Sequence, residues 1–108
     1  MEILVNNEVI VKNAKLCKSI WCKTKGLMFK KITKDEALVM KFKGEKNLGF
    51  HNWFVPQTLQ LVSVKNNRVV EIRILKPWRM LFMKEPATYV IEMLPNKKVR
   101  VGDSIKFN

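Results

Sequence analysis

Hydrophobic residues alternate with polar ones at a two-residue period along much of this chain, a pattern typical of β-strands. The clearest example is a predicted hairpin of residues 58–65 and 68–75, joined by a two-residue turn at Asn66 and Asn67. The same criteria predict further strands at residues 3–5 and 8–12 (a short hairpin turning at Asn6 and Asn7), 37–42, 88–94 and 104–107. Residues 76–84 combine apolar bulk with flanking bases in a predicted loop. Two interpretations stay open for this loop: it lines a ligand pocket or contacts a partner, or it is a long connection that covers one end of the strands.

The pattern changes to a helical period between Asn13, a good N-cap, and Gly26, a good helix end. Residues 14–25 are therefore predicted to form an amphipathic helix. Its apolar arc would contain Ala14, Leu16, Cys17, Ile20 and Trp21, and its polar arc Lys12, Lys15, Lys18, Lys23 and Lys25. Together these elements predict a mainly β fold, an antiparallel β-sandwich or barrel-like single domain spanning residues 1–108, with one amphipathic helix near the N-terminus.

Charge is the strongest feature of the composition. The chain of 108 residues has 21 Lys plus Arg against 9 Asp plus Glu, a formal net charge of +12. Such a charge attracts polyanions by counterion release. The lysines from Lys12 to Lys34 have no acid among them, and the candidate anion-binding residues are Lys12, Lys15, Lys18, Lys23, Lys25, Lys30 and Lys31. The alternative interpretation is a solvated helix face that keeps the protein soluble.

Two cysteines, Cys17 and Cys22, bear on the cellular compartment. On a helix they would lie roughly 140° apart around the axis, so they are predicted to be free thiols. The N-terminus lacks the pattern of a signal peptide, and the chain has no apolar run long enough to span a membrane. A cytosolic location is therefore expected. One histidine and two cysteines show no metal-ligand spacing, so no metal or cofactor is predicted.

Five short segments, in order, resemble a known family. They are Lys25-Gly26-Leu27-Met28-Phe29, His51-Asn52-Trp53-Phe54-Val55, Leu75-Lys76-Pro77-Trp78, Tyr89-Val90-Ile91-Glu92 and Val101-Gly102-Asp103. The sequence is similar in these places to the archaeal branch of domain of unknown function family 192, also called uncharacterised protein family 0127. The resemblance implies a mainly β fold with one helix and supplies no function.

Members of that family carry a Pro-hydrophobic-Asp motif shortly after the histidine segment, and its aspartate aligns with Gln60 in this chain. Any chemistry that depends on that aspartate would be lost here. His51, Trp53, Trp78 and Gln60 are the candidate pocket residues. His51 can be interpreted as a general base or as a partly buried structural side chain. A nucleophilic Cys22 beside His51 is a further interpretation, which no nucleophile motif supports.

Three functions remain open from the sequence. The first is a non-catalytic domain that binds a small ligand or a partner near His51, Trp53 and Trp78. The second is a sequence-independent nucleic-acid-associated protein that contacts phosphates through its lysines. The third is an enzyme of unknown reaction that uses His51. The absent aspartate and the scarcity of acids weigh against an enzyme.

Overall fold

The computed structural model describes residues 1–19, 22 and 31–108, in which every named element is a β-strand and Cys22 alone has a helical conformation. The strands are β1 Ile3–Val5, β2 Glu8–Val11, β3 Asn13–Cys17, β4 Glu36–Lys41, β5 Gly49–His51, β6 Leu59–Lys65, β7 Arg68–Leu75, β8 Met80–Phe82, β9 Tyr89–Met93 and β10 Ile105–Phe107. The predicted mainly β fold is confirmed. Within the described ranges, no helix is long and apolar enough to cross a membrane.

The strands form three separate sheets. Five strands pair in the order β3-β4-β9-β6-β7, three in the order β10-β1-β2, and β5 pairs with β8 as a two-stranded ribbon. The prediction of an antiparallel sandwich or barrel is therefore right only in part. The strands are layered and do not close into a barrel, and β3 runs parallel to β4, with Cys17 beside Met40. The chain from 18 to 35 supplies the long connection that a parallel pair requires.

The five-stranded sheet is covered on both of its faces. The first core, between this sheet and the three-stranded sheet, contains Ile3, Val5, Val11 and Ile105 packed with Val39, Val62, Val64 and Ile91. The second core, on the opposite face, contains Phe50, Val55 and Met83 packed with Leu38, Leu61 and Val90. Neighbouring residues of β6 belong to different cores because successive side chains of a strand point to opposite faces. The sheet is thus the middle of three layers.

Both predicted hairpins are present, with the predicted turns. Asn66 and Asn67 between β6 and β7 have φ angles of 52° and 61°, and Asn6 and Asn7 between β1 and β2 have φ angles of 51° and 68°. Two consecutive residues with positive φ match the turn that suits the twist of a two-residue hairpin. Asparagine tolerates this backbone better than other residues with a side chain do, so local sequence alone specified these turns.

The helix predicted for residues 14–25 is wrong over its first part, which is strand β3. Ala14 and Cys17 are both buried, and their spacing also fits one stripe of a helix. In the structure Ala14 belongs to the first core and Cys17 to the second, on opposite faces of the sheet. Leu16, assigned to the apolar arc, is 44% exposed. The positions of the predicted helix at 20, 21 and 23–25, which include Trp21, lie outside the described residues.

The two cysteines are bonded to each other, so the prediction of free thiols is wrong. Their Cα atoms are 5.7 Å apart, well within the range that a disulfide spans. The prediction failed because it rested on the angular separation of two helical residues, whereas Cys17 ends a strand. The expected cytosolic location loses one of its supports and stays a prediction. A nucleophilic Cys22 beside His51 is also ruled out in this form, since a disulfide-bonded sulfur is not a thiolate.

Glu92 is a buried carboxyl in the middle layer. It lies on β9 between Leu38 of β4 and Leu61 of β6, its register partners, and therefore faces the second core. Its exposed fraction is 6%. Burial raises the pKa of Glu92 to about 7, because an ionised carboxylate is poorly solvated there.

We expect this burial to make the stability of the protein fall with rising pH. Because the pKa of Glu92 is higher in the folded chain than in the unfolded chain, its contribution is complete below pH 4.5 and is lost as the pH rises to about 7. The Glu92→Gln variant should remove this slope and gain about 3 kcal/mol in free energy of unfolding at pH 8. Urea unfolding at pH 5 and pH 8 measures both. An unchanged slope in Glu92→Gln contradicts the assignment, and the exposed Glu8→Gln is the matched control.

The disulfide should be detectable by thiol labelling and by its effect on the free energy of unfolding. Closing a loop between positions five residues apart is expected to stabilise the folded chain by about 2 kcal/mol. Urea unfolding with and without reductant should show this difference in the wild type and none in Cys22→Ser. Thiol labelling followed by mass spectrometry, under denaturing but non-reducing conditions, should modify neither cysteine. Labelling of both cysteines would refute the bond.

Candidate binding surface

The ribbon of β5 and β8 has one face toward the second core and one toward solvent. Phe50 is paired with Leu81, and both pack inward. The alternate positions point outward and pair Gly49 with Phe82 and His51 with Met80. A Cβ at Gly49 would lie 2.9 Å from the Phe82 ring, so any larger residue at this position would displace that ring. The outer face of the ribbon is therefore lined by large side chains lying close to the backbone.

Asn52 fastens the end of this ribbon to the sheet. Its backbone N–H donates to the Arg79 carbonyl over 2.8 Å, and its carbonyl accepts from the Trp78 N–H over 2.9 Å. Its side-chain amide donates to the carbonyls of Gln57, at 2.8 Å, and Leu75, at 3.2 Å. Asn52 is 1% exposed, so these bonds are shielded from water. The two loops that follow β5 and precede β8 are joined through this one residue.

Gln57 extends this network to the chain that leads into β4. Its side-chain oxygen accepts from the Ile32 N–H over 2.8 Å, and its side-chain nitrogen donates to the Ile32 carbonyl over 2.9 Å. An amide that bonds both backbone groups of one residue imitates a strand partner. The loop from Asn52 to Gln57 is thus held at both ends.

At the opposite end of the ribbon, Glu71 performs a similar role from strand β7. One carboxylate oxygen accepts from the backbone N–H groups of Lys84 and Glu85, at 2.8 and 2.9 Å. The other lies 3.3 Å from the guanidinium of Arg73, which also donates to the Phe82 carbonyl. The ribbon is therefore anchored to the middle sheet at both of its ends.

The loops held by Asn52 present two aromatic residues in an unusual backbone conformation. Phe54 has a φ of 61° and Trp78 a φ of 64°, both in the left-handed region that bulky residues rarely occupy. Their rings contact each other edge to face with centroids 4.7 Å apart, while 45% of Phe54 and 62% of Trp78 stay exposed. Strain of this kind persists only where the surroundings enforce it, and it is concentrated at functional sites.

The exposed residues of the ribbon and its loops form one region, here called the aromatic surface, which consists of Trp53, Phe54, Trp78, Met80 and Phe82. The Trp53 ring lies over His51, with ring centroids 4.9 Å apart. The His51 Nδ1 atom is buried and has no hydrogen-bond partner in the described part of the chain. Exposed Lys76, Arg79 and Lys84 flank this surface. It is apolar at its centre and basic at its border.

The structure brings together three of the four predicted pocket residues, His51, Trp53 and Trp78. Gln60 is separate from them. It alternates with Leu59 and Leu61 of the second core and so points, like Val62, to the opposite face of the sheet. There it is 6% exposed and donates to the Lys97 carbonyl over 3.1 Å. Gln60 is thus a structural hydrogen-bond donor in the first core and not part of the surface near His51.

The predicted lysines do not share a helix face in the described part of the chain. Lys12 precedes β3, Lys15 lies on β3, and Lys18 and Lys31 are exposed outside the strands. Lys23, Lys25 and Lys30 lie outside the described residues. Lys18 instead lines an open cleft with Lys41 and Lys43, two lysines that the sequence reading did not select.

Sequence reasoning did not select Asn52 and Phe54 as site residues, and it included Met80 and Phe82 only as part of the candidate segment 76–84. Asn52 carried a usable signal, since it is a polar residue inside the apolar run from Phe50 to Val55. The outward direction of Met80 and Phe82 had no signal, because the pattern of segment 76–84 predicts a loop and not a strand. Among the described residues, no three of His, Cys, Asp and Glu are placed to hold a metal ion.

Comparison with known proteins identifies the class. The family model DUF192, described as Uncharacterized ACR, matches residues 3–107, so this chain belongs to the DUF192 family. Among curated proteins, it is 31% identical over 88 residues to UPF0127 protein PF1050 of Pyrococcus furiosus, covering 77% of this chain and 76% of that one. It is 32% identical over 87 residues to UPF0127 protein PH1112 of Pyrococcus horikoshii, covering 76% of each. The resemblance to the archaeal branch is confirmed.

Solved structures share the fold at low sequence identity. A protein of unknown function from Novosphingobium aromaticivorans superposes with a TM-score of 0.84 at 18% identity, covering 98% of this chain and 84% of that one. A protein from Sinorhizobium meliloti, provisionally named a transcription regulator, superposes with a TM-score of 0.77 at 17% identity, covering 86% and 79%. These likenesses establish the layered β fold and no function.

Removing the Asn52 side chain should loosen the aromatic surface. Asn52→Ala leaves the carbonyls of Gln57 and Leu75 without their donor in a buried place, which should cost about 2–3 kcal/mol in free energy of unfolding. Urea unfolding measures the cost, and near-ultraviolet circular dichroism reports the packing of the aromatic rings. Asn96→Ala, at an exposed turn, is the control. A loss below about 0.5 kcal/mol would show that Asn52 does not fasten these loops.

Proposed function

We propose that this protein is a non-catalytic binding domain whose aromatic surface binds a protein partner. The observation that carries the proposal is the group of five large apolar side chains, each between 45% and 62% exposed, on the outer face of the anchored ribbon and on its adjoining loops. Clustered exposed apolar residues on a protein surface mark interaction sites. Nothing in the folding of the middle sheet requires them, because the inner face of the ribbon already covers the second core.

The composition of the surface favours a protein over a small ligand. Tryptophan, phenylalanine, methionine and arginine are enriched at the centres of protein interfaces, and here they are represented by Trp53, Phe54, Trp78, Arg79 and Met80. The anchors at Asn52 and Glu71 hold the surface in one arrangement before binding, which lowers the entropy cost of association. Its five apolar side chains are each about half exposed, whereas the pockets that small molecules occupy enclose most of the ligand.

Charge defines the chemistry of the partner. Lys76, Arg79 and Lys84 border the apolar centre, and the whole chain carries a net charge of +12. A complementary partner presents apolar side chains flanked by Asp and Glu, because paired charges at the border steer the encounter and exclude like-charged competitors. The partner is therefore an acidic protein segment with apolar anchors.

A nucleic-acid role is the second candidate, supported by the same exposed rings. Bases stack on exposed aromatic side chains that are bordered by cations, independently of sequence. The fold likeness to a provisionally named transcription regulator adds nothing to this candidate at 17% identity. An enzyme that uses His51 is disfavoured because the Trp53 ring lies over the imidazole and Gln60 faces the other core.

Site-specific photo-crosslinking distinguishes these candidates. A photoreactive phenylalanine analogue replacing Met80 should crosslink, in cells, to proteins with an acidic and apolar segment at the crosslink. The same analogue replacing Val101, which is 64% exposed and outside the aromatic surface, should not. Trp78→Ala should weaken binding of the identified segment by at least about tenfold, as expected for an aromatic anchor. Val101→Ser should leave the affinity unchanged.

Three outcomes would overturn the proposal. Crosslinks to RNA that are specific to position 80 would favour the nucleic-acid candidate. Crosslinks between two copies of this chain, with a dimer in light scattering that Trp78→Ala dissociates, would assign the surface to self-association. An identical set of crosslinked proteins from positions 80 and 101 would show that the aromatic surface has no partner of its own.

A further inference from the structure

A second feature, separate from the aromatic surface, is a basic cleft near the ends of β3 and β4. It is lined by Lys18, Lys41, Phe42, Lys43 and Glu45 and has a volume of about 420 Å³. This volume lies within the range of small-molecule sites, roughly 300–1,000 Å³. The residues come from strand β4, from the turn that follows it and from the chain just after β3.

The parallel pairing of β3 and β4 concentrates positive charge in this cleft. Cys17 is in register with Met40, and the residues that follow them, Lys18 and Lys41, line the same cleft. Like charges held in one cleft repel each other. Lys18, Lys41 and Lys43 form no salt bridge with any residue in the described ranges. An anion between them would relieve this repulsion.

The walls of the cleft are fixed by hydrogen bonds and ring packing. The Phe42 backbone N–H donates to the Thr88 carbonyl over 2.8 Å, and its ring packs edge to face on Phe50, with centroids 6.1 Å apart. The Glu45 carboxylate accepts from the Lys43 N–H over 2.8 Å. Gly44 between them has a φ of 94°, which favours glycine. The turn that carries Lys43 is thus closed by its own residues.

We propose that this cleft binds a small phosphomonoester that carries a planar ring, such as a free mononucleotide. Among the described residues of the lining, three lysines and one carboxylate give a net charge of +2. A phosphomonoester carries a charge of about −1.5 to −2 at pH 7, so the two match. Lysines bind phosphate as point charges, and the partly buried Phe42 supplies an apolar wall for the ring. This site is independent of the proposed protein-binding function.

The test is nuclear magnetic resonance titration with adenosine 5′-monophosphate, adenosine and ribose 5-phosphate at about 0.15 M salt. The monophosphate should bind at least about tenfold more tightly than adenosine, the value expected for one charge-assisted hydrogen bond. Lys41→Gln should weaken its binding by a similar factor, whereas Lys106→Gln, an exposed lysine on β10, should not. Phe42→Leu should weaken the monophosphate more than ribose 5-phosphate, with thermal unfolding confirming that the variant is folded.

Several results would overturn the proposal. Equal binding of adenosine and its monophosphate would show that the phosphate is not recognised. Equal losses in Lys41→Gln and Lys106→Gln would show an unspecific response to net charge. Binding of short single-stranded RNA without binding of the mononucleotide would assign the cleft to a nucleic-acid interface. Trp78→Ala should leave monophosphate binding intact, so failure of the aromatic surface and failure of the cleft are separable.

Discussion

The burial of the five-stranded sheet on both faces is the constraint on which the rest of the structure depends. Leu61 and Val62, adjacent on β6, are both fully buried and belong to different cores. A strand whose odd-numbered and even-numbered positions are both apolar must be covered on both of its faces. The chain must therefore provide two covers. One is the three-stranded sheet, and the other is the ribbon of β5 and β8 with the loops around it.

The second cover explains why an apolar surface remains outside. A two-stranded ribbon has two faces, and only the inner one, with Phe50 and Leu81, contributes to the second core. Met80 and Phe82 on the outer face belong to neither core of the described residues, yet both are large and apolar. Asn52 holds one end of the ribbon by a buried and a partly buried hydrogen bond, and Glu71 holds the other end by two exposed hydrogen bonds. Anchoring of this quality, together with the left-handed backbone at Phe54 and Trp78, distinguishes this face from an incidental exposure of apolar residues.

The candidate site could be predicted only where its residues are close in sequence or carry a recognisable motif. His51, Trp53 and Trp78 were selected from short family-like segments, and the structure places them together. Gln60 was placed with them because it aligns with the aspartate of the family motif. It faces the opposite core, because a strand reverses side-chain direction at each residue. Met80 and Phe82 belong to the candidate segment 76–84, but their outward direction could not be predicted, since a three-residue strand becomes visible only when its partner is known. Lys41 joins Lys18 only through the register of two parallel strands.

The sequence by itself determined the features that depend on neighbouring residues: the mainly β character, the two hairpins with their asparagine turns, the net charge and the family. Each follows from local backbone preference, period or composition. The tertiary structure decided the features that depend on distant residues. Residues 14–17 have an apolar spacing compatible with helix or strand. Their pairing with β4, in a sheet that has one core on each face, selected the strand. The same pairing ends β3 at Cys17, whose sulfur is bonded to that of Cys22, and brings Lys18 and Lys41 into the same cleft. Where local propensity does not decide between helix and strand, the long-range pairing of strands decides it.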